Sequence, residues 1–147
     1  MPNYHEQEHG SICGAIGAAN LGLLLQHPTP SLDELINLLR CKHGAAIGLN
    51  KVLRKIFGDK IQPTNSFTEF MQYGGLLTIQ HPIFNLHITL CYPEEKGYTW
   101  VNSWLGPHIA KNIGFQEIKQ FLPARHLTEM YRIKDKLEHA EEHQEQD

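Results

Sequence analysis

At 147 residues, with 41% hydrophobic and 20% charged residues, the chain has the length and composition of one globular domain with a single core. No stretch reaches the ~20 uninterrupted apolar residues of a membrane span, and Lys and Arg form no clustered basic face of the kind that binds nucleic acid. The formal charge of -3 is uneven: Asp135, Glu138, Glu141, Glu142, Glu145 and Asp147 against Lys136 make the end acidic and leave the rest slightly basic.

In chain order, Ser11 is expected to cap a first helix running to about Gln26, with Cys13 in its opening turn. Gly14, Ala15, Gly17, Ala18 and Ala19 let neighbouring backbone approach closely, and the apolar Leu21 to Leu25 stretch implies a buried, central helix. The segment from Ile12 to Leu25 is no export signal, because no Lys or Arg precedes it and Asn20 interrupts it. Three cysteines, Cys13, Cys41 and Cys91, are an odd number without framework spacing, so free thiols in a cytoplasmic setting are expected, with specialised secretion as the other route.

Ser31-Leu32-Asp33-Glu34 is a capping box for a second helix ending before Gly44, and Leu49, Val52, Leu53, Ile56 and Phe57 give a third helix stopped by Gly58. Ser66 to Glu69 caps a short fourth helix that Gly74-Gly75 closes. Four helices thus precede any expected strand. From Leu76 the period changes, with strands expected over Leu76–Gln80, Leu86–Tyr92 and Tyr98–Asn102 and a hairpin loop at Pro93–Gly97. An irregular strand over Gly106–Ile113, a helix over Phe115–Leu122 and a last strand over Leu127–Ile133 follow. The order predicts an α+β fold, N-terminal helices packed on a C-terminal antiparallel sheet over residues 1–134, with an acidic, helical or disordered tail over 135–147.

Chemistry enters at Cys13, since backbone N–H groups and the helix dipole at a helix N-terminus favour thiolate. His87 on one strand and Asn102 at the end of the next lie 15 residues apart around the hairpin loop, so direct cross-strand pairing is expected. The Asn102 side-chain oxygen would then fix one imidazole nitrogen and leave the other for Cys13. Cys41 and Cys91 lack such company and read as structural. A rival set is His5, His9 and Cys13, whose four-residue spacing would line one face of a continuous helix and offer zinc a site. Gly10-Ser11 argues against that continuity, and no metal or other cofactor is expected.

These residues resemble the papain-like cysteine peptidases, and more closely the double-glycine leader peptidases that process bacteriocin precursors. Gln7 stands six residues before Cys13, the spacing both groups show between the oxyanion-hole glutamine and the nucleophile. Cys13-Gly14 with its small-residue helix, His43-Gly44 to Gly58, and Leu76 to His87 are similar to successive parts of the leader-peptidase domain, so the likeness covers most of residues 7–133. Leader peptidases usually place Asp-Pro at the third position; here Asn102-Ser103-Trp104 is similar to the Asn-Ser-Trp of papain, in which the Trp shields the Asn–His hydrogen bond. The resemblance implies a papain-like fold and a Cys13, His87, Asn102 triad with Gln7 in the oxyanion hole and Trp104 supporting the site. It implies a peptide or protein substrate, with no nucleic-acid or membrane partner. Without an ATP-transporter portion, a freestanding enzyme is expected. Deamidation and transglutamination share the acyl-thiol intermediate and stay open, as does a non-catalytic protein-binding module on the same fold.

Overall fold

A computed structural model describes residues 2–6, 13–39, 48–81, 85–102, 108–121 and 127–137. Its elements are α1 (Cys13–Leu25), α2 (Leu32–Leu39), α3 (Leu49–Phe57), β1 (Ile61–Thr64), α4 (Phe67–Tyr73), β2 (Gly75–His81), β3 (Asn85–Pro93), β4 (Tyr98–Val101), β5 (Ile109–Ile113), α5 (Phe115–Phe121) and β6 (Leu127–Ile133). The fold is α+β, with a six-stranded antiparallel open sheet in the order β1-β6-β2-β3-β4-β5. No helix among the described residues is long and apolar enough to cross a membrane.

Local chemistry accounts for the boundaries. The Ser31 hydroxyl accepts the Glu34 N–H at 3.2 Å, and the Ser66 hydroxyl accepts the Glu69 N–H at 3.1 Å, so a serine N-cap starts each helix. Helix α3 ends at Gly58 with φ of 61°, a left-handed conformation that glycine adopts without steric cost.

Strand alternation divides the core in two. Leu76, Ile88, Leu90, Tyr92, Val101, Tyr131 and Ile133 face the layer of α1, α2 and α3. Their neighbours Leu77, Cys91, Trp100 and Met130 face α4 and α5, where Phe70, Met71 and Ile118 complete a second cluster. Helix α1 carries almost no polar side chain, and it is covered on both flanks by the sheet and α2. Gly17 sets how closely it sits: a Cβ there would stand 3.0 Å from Ile88 Cγ2 and 3.4 Å from Leu76 Cδ2.

One expectation needs correction: a strand, β1, precedes the fourth helix. Helices cover both faces of the sheet. β1 is short and contains Pro63, which an edge strand tolerates because its N–H need not join a ladder. The acidic end also has an anchor that its composition did not suggest, since Leu137 packs half-buried against the α1 core. Residues 138–147 lie outside the described residues.

Candidate active site

The His87–Asn102 pair meets by a route different from the expected one. β3 and β4 pair with Leu90 opposite Val101 and Cys91 opposite Trp100, so the register places Asn102 across from Thr89 and diagonal to His87. The turn is centred on Glu95 and Lys96, where the Glu94 N–H donates to the Gly97 carbonyl at 2.9 Å and Gly97 takes φ of 70°. That is one residue later than the midpoint of His87 and Asn102. The chain leaves the ladder at Asn102, whose φ of 59° suits an Asn better than most residues. Its main-chain carbonyl accepts a hydrogen bond from His87 Nε2 at 3.2 Å.

The chemistry of that bond places a proton. A carbonyl oxygen only accepts, so Nε2 carries a proton and donates in this contact. His87 is half-buried and Asn102 is buried, with 8% of its surface exposed, which strengthens a polar contact against competition from water.

Helix α1 brings its N-terminus to the same end of the sheet. Gly17 touches Ile88, while Leu24 borders a cleft together with Tyr92, Pro93 and Glu94, so α1 and β3 run in the same direction. Four helical residues back from Gly17 is about 6 Å, or about two strand residues back from Ile88. The backbone of Cys13, the first residue of α1, is therefore level with Leu86 and His87. No acidic residue occupies the first turn of α1 to offset the positive end of its dipole. Alternation assigns His87 to the odd-numbered set with Thr89 and Cys91, the side of the sheet that α4 and α5 cover and the opposite of the one that α1 covers, beyond the last β3–β4 pair. Gln7 and Trp104 lie outside the described residues, as do Cys41 and the 103–107 segment.

Three contacts escaped the sequence reading. Asn20, fully buried in α1, accepts the His5 N–H through Oδ1 at 2.8 Å and donates from Nδ2 to the His5 carbonyl at 3.1 Å. The Tyr4 hydroxyl meets the Tyr92 hydroxyl at 2.9 Å. An Asn inside an otherwise apolar helix was the available signal, since a buried amide implies fixed partners. His108 is the third, its carbonyl accepting the Asn102 N–H at 2.7 Å, and nothing in its local sequence marks it.

The zinc alternative loses its premise. Residues 2–6 are not helical and α1 begins at Cys13, so His5 and Cys13 share no continuous helix face, while His9 lies outside the described residues. Among the described residues no group of three His, Cys, Asp or Glu side chains is placed to hold a metal ion. Cys91 is a different kind of thiol: it is fully enclosed, and burial pushes it up to about 12, which keeps it neutral. The chain matches no protein-family model, no curated protein and no solved structure.

Proposed function

We propose that the protein is a cysteine-dependent hydrolase of papain-like type, acting on peptides or proteins through Cys13, His87 and Asn102. The observation that carries this reading is the hydrogen bond from His87 Nε2 to the main-chain carbonyl of Asn102 at 3.2 Å, at the end of the sheet where α1 begins with Cys13. In this reading His87 Nδ1 takes the Cys13 thiol proton, and the positive end of α1 favours the thiolate. The sulfur attacks an acyl carbonyl, and the oxyanion is held by the Cys13 backbone N–H and the Gln7 side chain. Collapse of the tetrahedral adduct forms the thioester and expels the amine, which leaves with the proton from His87. Water, deprotonated by His87, then releases the acid and restores the thiol. Trp104 shields the Asn102–His87 contact, and no cofactor takes part.

The leaving group and acceptor decide between peptide hydrolysis, deamidation and transglutamination, because all three pass through the same thioester. Peptide hydrolysis is the outcome favoured by the resemblance of residues 7–133 to peptidases. Peptide libraries that include Gly-Gly sequences, incubated with the parent and with Cys13→Ala, test it by mass spectrometry. New termini made by the parent and absent with Cys13→Ala are the expected result. Ammonia release or amine incorporation without cleavage would replace peptidase by deamidase or transglutaminase, and identical spectra from the two proteins would contradict the enzyme.

A further inference from the structure

Helix α1 ends in a tight turn that brings the imidazole of His27 against the end of α3. The His27 N–H donates to the Gly22 carbonyl at 2.9 Å, and a Cβ at Gly22 would collide with Thr29 Cγ2, so the turn has little room to shift. The half-buried ring lies against the buried ring of Phe57, their centroids 5.2 Å apart. Its Nε2 is 2.8 Å from the carbonyl of Ile56, in the last turn of α3, where carbonyls lack a helical donor. Its Nδ1 is 2.9 Å from Nζ of Lys60, an exposed residue of the single 3-10 turn Gly58–Lys60.

The partners assign the protons. A carbonyl only accepts, so Nε2 carries a proton; an ammonium only donates, so Nδ1 receives the Lys60 N–H through its lone pair. Among the described residues no carboxylate pairs with Lys60, because the neighbouring Asp59 engages Lys134 Nζ at 3.2 Å. The Lys60 main chain is held as well, its carbonyl accepting the Lys134 N–H at 2.8 Å. A ring oriented by an acceptor on one nitrogen and facing the proton of a nucleophile with the other is the arrangement that activates hydroxyls and thiols in acyl transfer.

We propose that Lys60 is an acyl-acceptor site, acylated directly by thioesters with His27 as the base. Nδ1 takes one proton from the Lys60 ammonium, and the freed Nζ lone pair attacks the thioester carbonyl. The adduct collapses with loss of the C–S bond, the thiolate takes the proton from Nδ1, and a second Nζ proton passes to water. An amide and a free thiol result. The Ile56 carbonyl stabilises the imidazolium formed on the way.

The test uses S-acetyl-N-acetylcysteamine as the acyl donor, with peptide mapping of acetylated lysines over time. Lys51 and Lys55, exposed on α3, are references within the same protein. Lys60 is expected to acetylate about tenfold or more faster than either, below the full range of a positioned base because it is exposed. In deuterium oxide its rate should fall about twofold relative to theirs. His27→Asn, which can still accept the Lys60 N–H but takes no proton, should reduce Lys60 to the rate of the references. Cys13→Ala should leave the excess intact. Lys60 reacting no faster than Lys51 and Lys55, or keeping its excess in His27→Asn, overturns the proposal, and loss of the excess in Cys13→Ala overturns direct transfer from the thioester. If His27→Asn does not fold, the isotope effect in the parent decides, and a Lys60 rate that falls no further than the references overturns the role of His27.

Discussion

Burial decides the state of the Cys91 thiol: enclosed beneath the sheet, it is pushed up to about 12 and stays protonated through the neutral range. Cys91 is therefore expected to resist alkylation in the native protein at pH 8 and to react only after unfolding, as peptide mapping of the labelled sites would show. Native labelling at Cys91 would contradict its enclosure. The tyrosines that fasten the N-terminus respond to alkali for the same reason. Burial raises Tyr4 to about 12 and raises Tyr92 further, with Glu94 adding to the effect on both. Folding thus favours the protonated phenols, and the stability they contribute is complete below pH 10 and declines as the pH rises towards 12. Denaturant titrations of the parent should show that decline, and Tyr4→Phe should flatten it; parallel curves would refute the assignment. Thr99 Oγ1 is buried with no partner among the described residues, so Thr99→Val should leave stability unchanged or raise it by about 1 kcal/mol, read from the urea midpoint.

At the scale of elements, the packing of α1 on β3 depends on the missing side chain at position 17. Gly17→Val would place two methyl groups where a single Cβ already stands 3.0 Å from Ile88, and should cost about 1–3 kcal/mol in denaturant unfolding. No loss of stability would mean that the helix does not sit so close. Gly97 has a comparable hold on the hairpin, because a Cβ there would lie 2.8 Å from the Ile113 carbonyl of β5. This glycine explains why the register escaped sequence reasoning. The loop from Pro93 to Gly97 was legible, but the turning residues within it follow from φ at Gly97 and its contact with β5, which no local pattern encodes. Helices with capping boxes at Ser31 and Ser66 were legible because each cap is a local hydrogen bond. β1 was not, since a four-residue edge strand with Pro63 has no periodic signal and exists through its pairing with β6.

Over the whole molecule, the sheet order explains how residues far apart in sequence come to one end. β3 lies near the middle of the sheet, flanked by β2 and β4, and α1 runs along it in the same direction. The start of a helix and the start of a strand therefore share one level, which Asn102 reaches by leaving β4. Cys13, His87 and Asn102 were legible as chemical types at suggestive spacing. Asn20 and His108 were not, because their roles arise from tertiary contacts with His5 and Asn102.

The central claim is that His87 activates the thiol of Cys13, and its most direct test is the rate of iodoacetamide alkylation at Cys13 near pH 6 in the parent and in His87→Ala, with Cys13→Ser as the blank. Cys13 in the parent is expected to alkylate about tenfold or more faster than an unperturbed thiol, whose pKa near 8.5 leaves little thiolate at this pH, and to lose that excess in His87→Ala. Cys13 reacting at the ordinary rate in the parent, or equally fast without His87, would contradict it.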